Sequence, residues 1–497
     1  MSEESKLANA ELNEELANSA SEIGADSTND GEPANDLEQD TPEITTDKKK
    51  KSKKAKLKQA LGSKSSNKDV AASSSNGPHK LTESMVEQIL ENNPSMKSEV
   101  AGLNKAKTAE KLNSLDAASL LTGMSISGKN TKDMASYKFW QTQPVPRFDE
   151  APKTEEGPIK NINPDEVPKE PPPMLEGFEW VTMDLTQEKQ LEEVYELLTG
   201  HYVEDNDAQF RFNYSVSFLD WALKSPGWRR EWHVGVRASK SQKLVAFISG
   251  VPVQLRVRSK VLKSTEINFL CVHKKLRSKR LTPVLISEIT RRCYVEGIFQ
   301  AIYTGGIVLP KPVSSCRYYH RSLDWLKLHE VGFSPLPTNS TKARQITRFH
   351  LPSKTATPGL RPMQDKDVPA VSDLLDRYSK RFQMAPVFDK DEIRHWLLKE
   401  DKGLEQVVWA YVIEDPSSHE ITDFFSFYCL ESQVIGHQKH DNVRAAYLFY
   451  YATETAFEPA ERGLKERLNA LMNDALILAK TVSEIGVTRY CDILTSL

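Results

Sequence analysis

The chain has 497 residues, 27% of them charged and 39% hydrophobic, with a formal net charge of −3. This length leaves room for two or three domains, and the near balance of charge predicts no strong global steering of a partner. Five scattered cysteines without a Cys-x-x-Cys pair argue against a zinc site or a disulfide framework, so no metal is expected and the setting reads as reducing and cytoplasmic.

The polar, acidic N-terminal stretch reads as no secretory signal, and no apolar run approaches a membrane span. Residues 1–80 are poor in aromatics and rich in Ser, Asn, Glu and Ala. They bury too little surface to offset chain entropy and are expected to be disordered. The block Lys48–Lys58 is either a solvated tail or an attractor of phosphate-rich surfaces such as RNA. Residues 81–175 form an extended arm with short helical patterns. It carries the aromatic cluster Tyr137, Lys138, Phe139, Trp140 and a Pro-rich run to Pro173.

A compact region is expected over 176–355. Periodicity predicts helices over Glu188–Leu198 and Val216–Leu223, and strands over Trp232–Arg237, Leu244–Val251 and Leu255–Val261. Between the helices lies an acidic loop, Glu204, Asp205 and Asp207, with Tyr202, Val203, Phe210, Phe212 and Tyr214 around it. Thr265–Val272 is apolar on both alternating faces apart from Asn268, the pattern of a strand buried within a sheet. A basic turn follows (Lys274, Lys275, Arg277, Lys279, Arg280), then a helix with Leu281, Leu285, Ile289 and Cys293 at i, i+4 spacing and Pro283 in its first turn. Phe299–Thr304 reads as a further strand, followed by Gly305 and Gly306.

Strand, basic turn and helix start together make an anion site. Unpaired N–H groups at the helix N-terminus, the helix dipole and the Arg277, Lys279 and Arg280 charges all favour a phosphate or pyrophosphate. The alternative is a solvated basic turn. Cys271 lies mid-strand among apolar residues, where a thiol behaves as an inert small hydrophobe. Lys274 and Lys275 beside His273 disfavour its protonation. Asn268 either orients a ligand or bridges strands.

In 356–497 the pattern recurs. Helices are predicted over Val368–Arg381, Lys390–Lys399 and Leu464–Lys480, and strands over Val407–Ile413, Phe424–Leu430 and Arg444–Ala452. A second copy of one α/β fold is the simplest account.

The run Glu266–Lys274 (EINFLCVHK) closely resembles the signature of the glycylpeptide N-tetradecanoyltransferases, or N-myristoyltransferases. Further matches in the family's order are the YKFWQTQPV run from Tyr137, HYVED from His201, FRFNY from Phe210, YTGG from Tyr303 and YYHRS from Tyr318. The resemblance extends from about Tyr137 to Lys480. It implies two tandem halves of the GCN5-related acyltransferase type, the first holding acyl-CoA through a splayed strand and the second forming much of a peptide groove. It implies direct transfer of myristoyl from myristoyl-CoA to an N-terminal glycine amine, without an acyl-enzyme or a resident cofactor.

By that resemblance the Phe269 and Leu270 amides stabilise the thioester oxygen, and Thr304 holds the amine. Acyl-CoA contacts fall on Tyr137, Lys138, Phe139, Trp140, Phe269, Leu270, Cys271, Val272, Arg277, Ser278, Lys279, Arg280, Leu281 and Thr282. Peptide contacts fall on Tyr202, Val203, Asp205, Asp207, Phe210, Phe212, Tyr214, Asn268, Thr304, Tyr318, His320, Phe333, Ser432, Val443 and Tyr447. The acidic loop would favour substrates with Lys or Arg beyond the glycine. The family's polybasic N-terminal segment implies contact with ribosomes through Lys48–Lys58. Other readings are an acetyl-CoA-dependent amine acetyltransferase and a non-catalytic acyl-CoA-binding protein.

The ending Thr481–Leu497 departs from the family, lacking its glycine-rich segment, aromatic hairpin and terminal apolar strand. The family's base is its C-terminal carboxylate, and whether Leu497 serves is open. An incomplete second half with uncovered sheet edges and slow turnover is therefore expected, with Gly486–Ile493 placed to imitate one lost strand.

Overall fold

The computed structural model describes residues 156–157, 162–205, 207–305, 312–314, 316, 318–399, 403–459, 462–481 and 493–496. In chain order the elements are β1 (Phe178–Thr182), α1 (Glu188–His201), β2 (Phe210–Asn213), α2 (Val216–Leu223), β3 (His233–Ala238), β4 (Leu244–Val257), β5 (Lys260–Val272), α3 (Leu281–Val295), β6 (Ala301–Ile302), β7 (Tyr319–Ser322), α4 (Trp325–Glu330), α5 (Lys342–Arg348), β8 (Leu360–Pro362), α6 (Val368–Ser379), β9 (Met384–Pro386), α7 (Lys390–Leu397), β10 (Val408–Glu414), β11 (Ile421–Val434), β12 (Asn442–Thr453), α8 (Leu464–Thr481) and β13 (Ile493–Ser496). The polybasic block and the Tyr137–Trp140 cluster lie outside the described residues.

The helices follow their apolar spacing. Leu191, Val194, Leu197 and Leu198 make the buried stripe of α1, and Leu281, Leu285, Ile289 and Cys293 that of α3. Local signals start other helices. The Ser215 hydroxyl accepts the Phe218 N–H at the head of α2, and Asp389 with Glu392 forms a capping box on α7.

Two sheets belong to a single compact unit. The first runs β1-β3-β4-β5-β6, with β9 added to the far end of β4. One face packs Val234, Val236, Ala246, Ile248 and Val272 against α3. The other packs Phe247, Val251, Phe269 and Cys271 against α1 and α2. The second sheet runs β7-β13-β12-β11-β10-β8, with β2 added to β11. Phe424, Val412 and Ala452 pack against α6 and α7 on one face, and Phe425, Phe427 and Ile413 against α8 on the other. Each half thus has helices on both faces of a largely antiparallel sheet, in the expected order. The halves also exchange strands: β2 joins the second sheet at Phe210–Asn213, and β9 joins the first at Met384–Pro386.

Three expectations need correction. Leu244–Val251 and Leu255–Val261 are not two strands. β4 runs through Pro252 to Val257, the chain turns at Arg258 (φ 54°), and β5 begins at Lys260. Pro252 is tolerated because β4 pairs there only with β5; β3 has ended opposite Ser249 and β9 begins opposite Leu255. The strand expected over Phe299–Thr304 is paired only at Ala301–Ile302. A C-terminal strand is formed by Ile493–Ser496, and the expected strand Gly486–Ile493 lies, but for Ile493, outside the described residues. Finally, the edge of β12 expected to stand uncovered is paired: Ala445–Tyr447 lies parallel to β13, which β7 pairs on its other side.

Candidate active site

The site begins with an irregularity in β5. Register passes from Phe247↔Cys271 to Ser249↔Asn268, so Phe269 and Leu270 together oppose Ile248. This is a β-bulge, and its first residue, Phe269, has φ 54°. Left-handed backbone at a residue with a side chain costs about 1–3 kcal/mol and persists only where surroundings enforce it. The enforcing contacts are aromatic. The buried Phe269 ring meets Tyr214 edge-on at 5.1 Å and Tyr202 at 6.1 Å. The Ser249 hydroxyl donates to the Asn268 carbonyl at 2.9 Å.

On its other side β5 is paired with β6 only at Thr265↔Ala301 and Glu266↔Ile302. From Ile267 to Val272 that edge carries no strand among the described residues. The strand therefore splays open at the bulge, as expected. The Asn268 side chain bonds within its own strand and not across to a neighbour, its amide donating to the Glu266 carboxylate at 3.2 Å. Thr304 is exposed two residues past Ile302, as Asn268 lies two past Glu266. Cys271 is buried, its sulfur 3.9 Å from the Leu197 carbonyl.

The basic turn is built from backbone as much as from charge. Lys274–Lys279 forms a 3-10 turn whose start is capped by His273, with Nδ1 accepting the Lys275 N–H. Arg280 is left-handed (φ 56°, ψ 30°), and Leu281 and Thr282 then open α3. Right-handed residues followed by a left-handed one turn successive N–H groups into a concave nest, which suits an anion. The Ser278 side chain lies outside the described residues.

Not all the basic residues face outward. Arg277 donates to the His201 carbonyl at 2.7 Å, and Lys274 meets Glu204 at 2.8 Å. The His201 and His273 rings are 3.9 Å apart. Burial, then His273 and Lys274, brings the His201 pKa down to about 3. Burial, then Lys243, Lys275 and Arg277, brings that of His273 down to about 4. Both imidazoles are neutral near pH 7.

The acidic loop is less uniform than its sequence. Glu204 is claimed by Arg211 and Lys274. Burial pushes its pKa up, but those two cations together hold it below the usual carboxylate range. Asp205 accepts the Phe210 N–H at 2.6 Å and so closes the loop. Asp207 is exposed.

The remaining candidates converge through strand pairing. Phe212 lies opposite Ser432, which lies opposite Val443. His320 and Tyr447 each sit beside Thr495. Phe333 packs edge-on to Phe210 at 5.8 Å and to His320 at 5.9 Å. Burial lowers the His320 pKa. Val443 is core, packed with Leu328, Val331 and Val434.

A chain of rings then joins the bulge to the second sheet. It runs from Phe269 through Tyr214, Phe218, Tyr428 and Tyr447 to Tyr318, with successive centroids 5.1–6.4 Å apart. Tyr202 and Phe212 flank Tyr214 at 5.7 Å, and exposed Val203 borders them. Phe218 and Tyr428 were not among the sequence candidates, because nothing local marks a residue whose partners lie on other strands.

Comparisons with known proteins agree with this geometry. Residues 158–316 match the N-terminal domain model of myristoyl-CoA:protein N-myristoyltransferase, and residues 330–494 its C-terminal domain model. Glycylpeptide N-tetradecanoyltransferase of Aspergillus fumigatus is 65% identical over 430 residues, 86% of each chain. That of Candida albicans is 48% identical, over 76% of this chain and 84% of its own. A crystal structure of Saccharomyces cerevisiae N-myristoyltransferase with bound myristoyl-CoA superposes with a TM-score of 0.68 at 48% identity, covering 72% of this chain and 82% of that one.

Proposed function

The chain belongs to the myristoyl-CoA:protein N-myristoyltransferase family, and from that premise we propose that it moves the myristoyl group of myristoyl-CoA onto the N-terminal glycine amine of proteins. The observation that carries the site assignment is the bulge at Phe269 and Leu270, standing on an open strand edge directly before the anion nest.

The pyrophosphate of CoA lies on the turn 274–280 and the first turn of α3, with Lys279 and Arg280 supplying charge. The pantetheine arm follows the open edge of β5, over Cys271 and Val272, and brings the thioester to the bulge. The Phe269 and Leu270 N–H groups point at its carbonyl oxygen. Such fixed donors are worth most where charge develops, here as the carbonyl becomes tetrahedral.

The glycine amine attacks from the side of Thr304 and Asn268. An α-amino group has a pKa near 8, so a modest base frees it. The C–N bond forms, the C–S bond breaks, the amine gives up a proton, and the departing CoA thiolate gains one. The peptide beyond the glycine lies along Tyr202, Val203, Phe210, Phe212, Tyr214, Tyr318, His320, Phe333, Ser432 and Tyr447. With Glu204 neutralised internally and Asp205 closing its loop, Asp207 and the outward side of Asp205 carry any preference for basic substrates.

Among the described residues no helix is long and apolar enough to cross a membrane. The unpaired cysteine spacing supports a cytoplasmic setting, and Lys48–Lys58 would provide contact with ribosomal RNA; loss of salt-sensitive ribosome co-sedimentation on deleting that block checks the second point.

The test of function is transfer to a glycine-initiated peptide from thioesters of different length. Myristoyl-CoA should be used far better than acetyl-CoA, and a peptide beginning with alanine should not react. Preference for acetyl-CoA would replace this reading with an acetyltransferase. Binding without transfer would replace it with an acyl-CoA carrier.

A further inference from the structure

Ser249 is fully buried on β4, on the face that α1 and α2 cover, yet it does not contribute apolar surface. Its hydroxyl has one recorded partner, the Asn268 carbonyl, 2.9 Å away. That carbonyl shares a peptide plane with the Phe269 N–H. In a planar trans peptide the C=O and N–H point in opposite directions. Gripping the carbonyl from β4 therefore turns the N–H away from β4, towards the open edge of β5. An N–H at this place would otherwise turn inward to complete the ladder.

The Phe269 ring is held at the same time, packed against Tyr214 at 5.1 Å and against Tyr202, at the end of α1, at 6.1 Å.

The second sheet holds a counterpart. β12 also bulges, register passing from Phe425↔Tyr451 to Phe427↔Leu448, so that Phe449 and Tyr450 oppose Ser426. Ser426 is likewise fully buried, but its hydroxyl takes both groups of one residue: it donates to the Tyr450 carbonyl at 2.9 Å and accepts the Tyr450 N–H at 3.0 Å. One serine closes its bulge. The other holds a carbonyl and leaves the following amide to an outside acceptor.

Resting on the acyl-transfer reading, we infer that Ser249 is a positioning residue for the reaction: its hydroxyl fixes the Asn268–Phe269 peptide plane so that the Phe269 N–H faces the thioester oxygen. It acts through the backbone and touches neither substrate.

The experiment pairs Ser249→Ala with Ser426→Ala in the full chain. Loss of one oxyanion donor costs roughly 10²–10³-fold in other enzymes, and a donor loosened rather than removed should cost about 10–100-fold. Ser249→Ala should lower the single-turnover transfer rate by that factor while the affinity for myristoyl-CoA and the peptide KM stay within about twofold. Ser426→Ala should lower the melting temperature and leave the rate unchanged. Should Ser249→Ala not fold, Ser249→Cys keeps the volume with a weaker donor and should show the same rate loss in smaller measure. A binding measurement free of turnover supplements both: a ketone analogue of myristoyl-CoA should bind more tightly than its methylene counterpart, and this preference should shrink in the Ser249 variant.

Equal rates for the unsubstituted and Ser249-substituted chains, or equal rate losses in the Ser249 and Ser426 variants, would overturn the assignment. Absence of transfer by the unsubstituted chain would overturn the acyl-transfer reading instead, and the analogue preference would still decide whether Ser249 aims the amide.

Discussion

The two halves solve the same construction problem and differ where a ligand is to be held. In each, a long hairpin bulges on its second strand, that strand ends in a side chain capping a 3-10 turn, and a left-handed residue precedes a helix that starts on a buried leucine. In the first half these are His273, Arg280 and Leu281. In the second they are Thr453, Gly463 (φ 79°) and Leu464. At the matching positions the second half uses less strained residues: glycine at the left-handed position before its helix, serine to close the bulge, and Glu454 in a turn without a basic cluster. The first half places Phe269 and Arg280 in left-handed backbone and surrounds the turn with cations. At these matching positions, strain and unbalanced charge mark the half proposed to meet the acyl donor, and relaxed geometry marks the half proposed to support the peptide.

The comparison is broken most severely at the bulge. Deleting Leu270 would bring Ser249↔Asn268 and Phe247↔Cys271 into one continuous register and remove the paired amides. Transfer should fall on the order of 10²–10³-fold with the fold retained. Single-turnover assays beside circular dichroism check this.

Next in size is the charge difference between the turns. Lys279→Ala with Arg280→Ala should weaken acyl-CoA binding about tenfold at low salt and flatten its salt dependence, since exposed charges are screened within about 10 Å at 0.1 M. Arg277 is better left in place, because its guanidinium supports the end of α1. Isothermal titration at two ionic strengths gives the answer, and unchanged low-salt affinity would return the turn to a solvated role.

The histidine pair has no counterpart after β12 and gives the first half its own acid sensitivity. Both folded pKa values, about 3 and about 4, lie below the ordinary 6.5. The unfolded chain therefore binds more protons between about pH 6.5 and 4, and stability falls as pH drops through that window. Between pH 7 and 5 the pair should account for a loss of about 4 °C in Tm. Replacing His201 and His273 by Asn should remove that part of the slope in a thermal scan.

The smallest effect sharpens the contrast from the other side. Nothing lies within 4 Å of a Cβ built on Gly463, so only its backbone is at stake. Gly463→Ala should cost about 1 kcal/mol in urea denaturation and leave transfer alone.

Much of this was legible in local sequence. The spacing of Leu281, Leu285 and Ile289 fixes α3, the Thr265–Val272 run fixes the central strand, and the basic turn between them announces an anion. The bulge was not legible as a backbone shape, because left-handed bulge positions usually advertise themselves with glycine and this one carries Phe269. The length of β4 was hidden by Pro252, which looks like a strand end until its unpaired side is known. The ring chain was hidden by distance: Asn213 on β2 bonds Glu431 on β11, 218 residues away. The sheet place taken by Ile493–Ser496 also depends on partners far back in the chain, Tyr319–Ser322 and Ala445–Tyr447.

The exchange of β2 and β9 sets an order on the protein's own birth. As the chain leaves the ribosome, Leu255–Val257 of β4 emerges long before Met384–Pro386 exists to cover it, and Phe210–Asn213 must wait for Glu431–Val434. The first sheet is thus born with an open edge, and the segment of β2 has no sheet to join until most of the second half has been made. Each half completes the other, so neither should reach its final state as a separate polypeptide. A pause in translation between residues 260 and 380 would prolong the interval in which the growing chain is most exposed to wrong pairing.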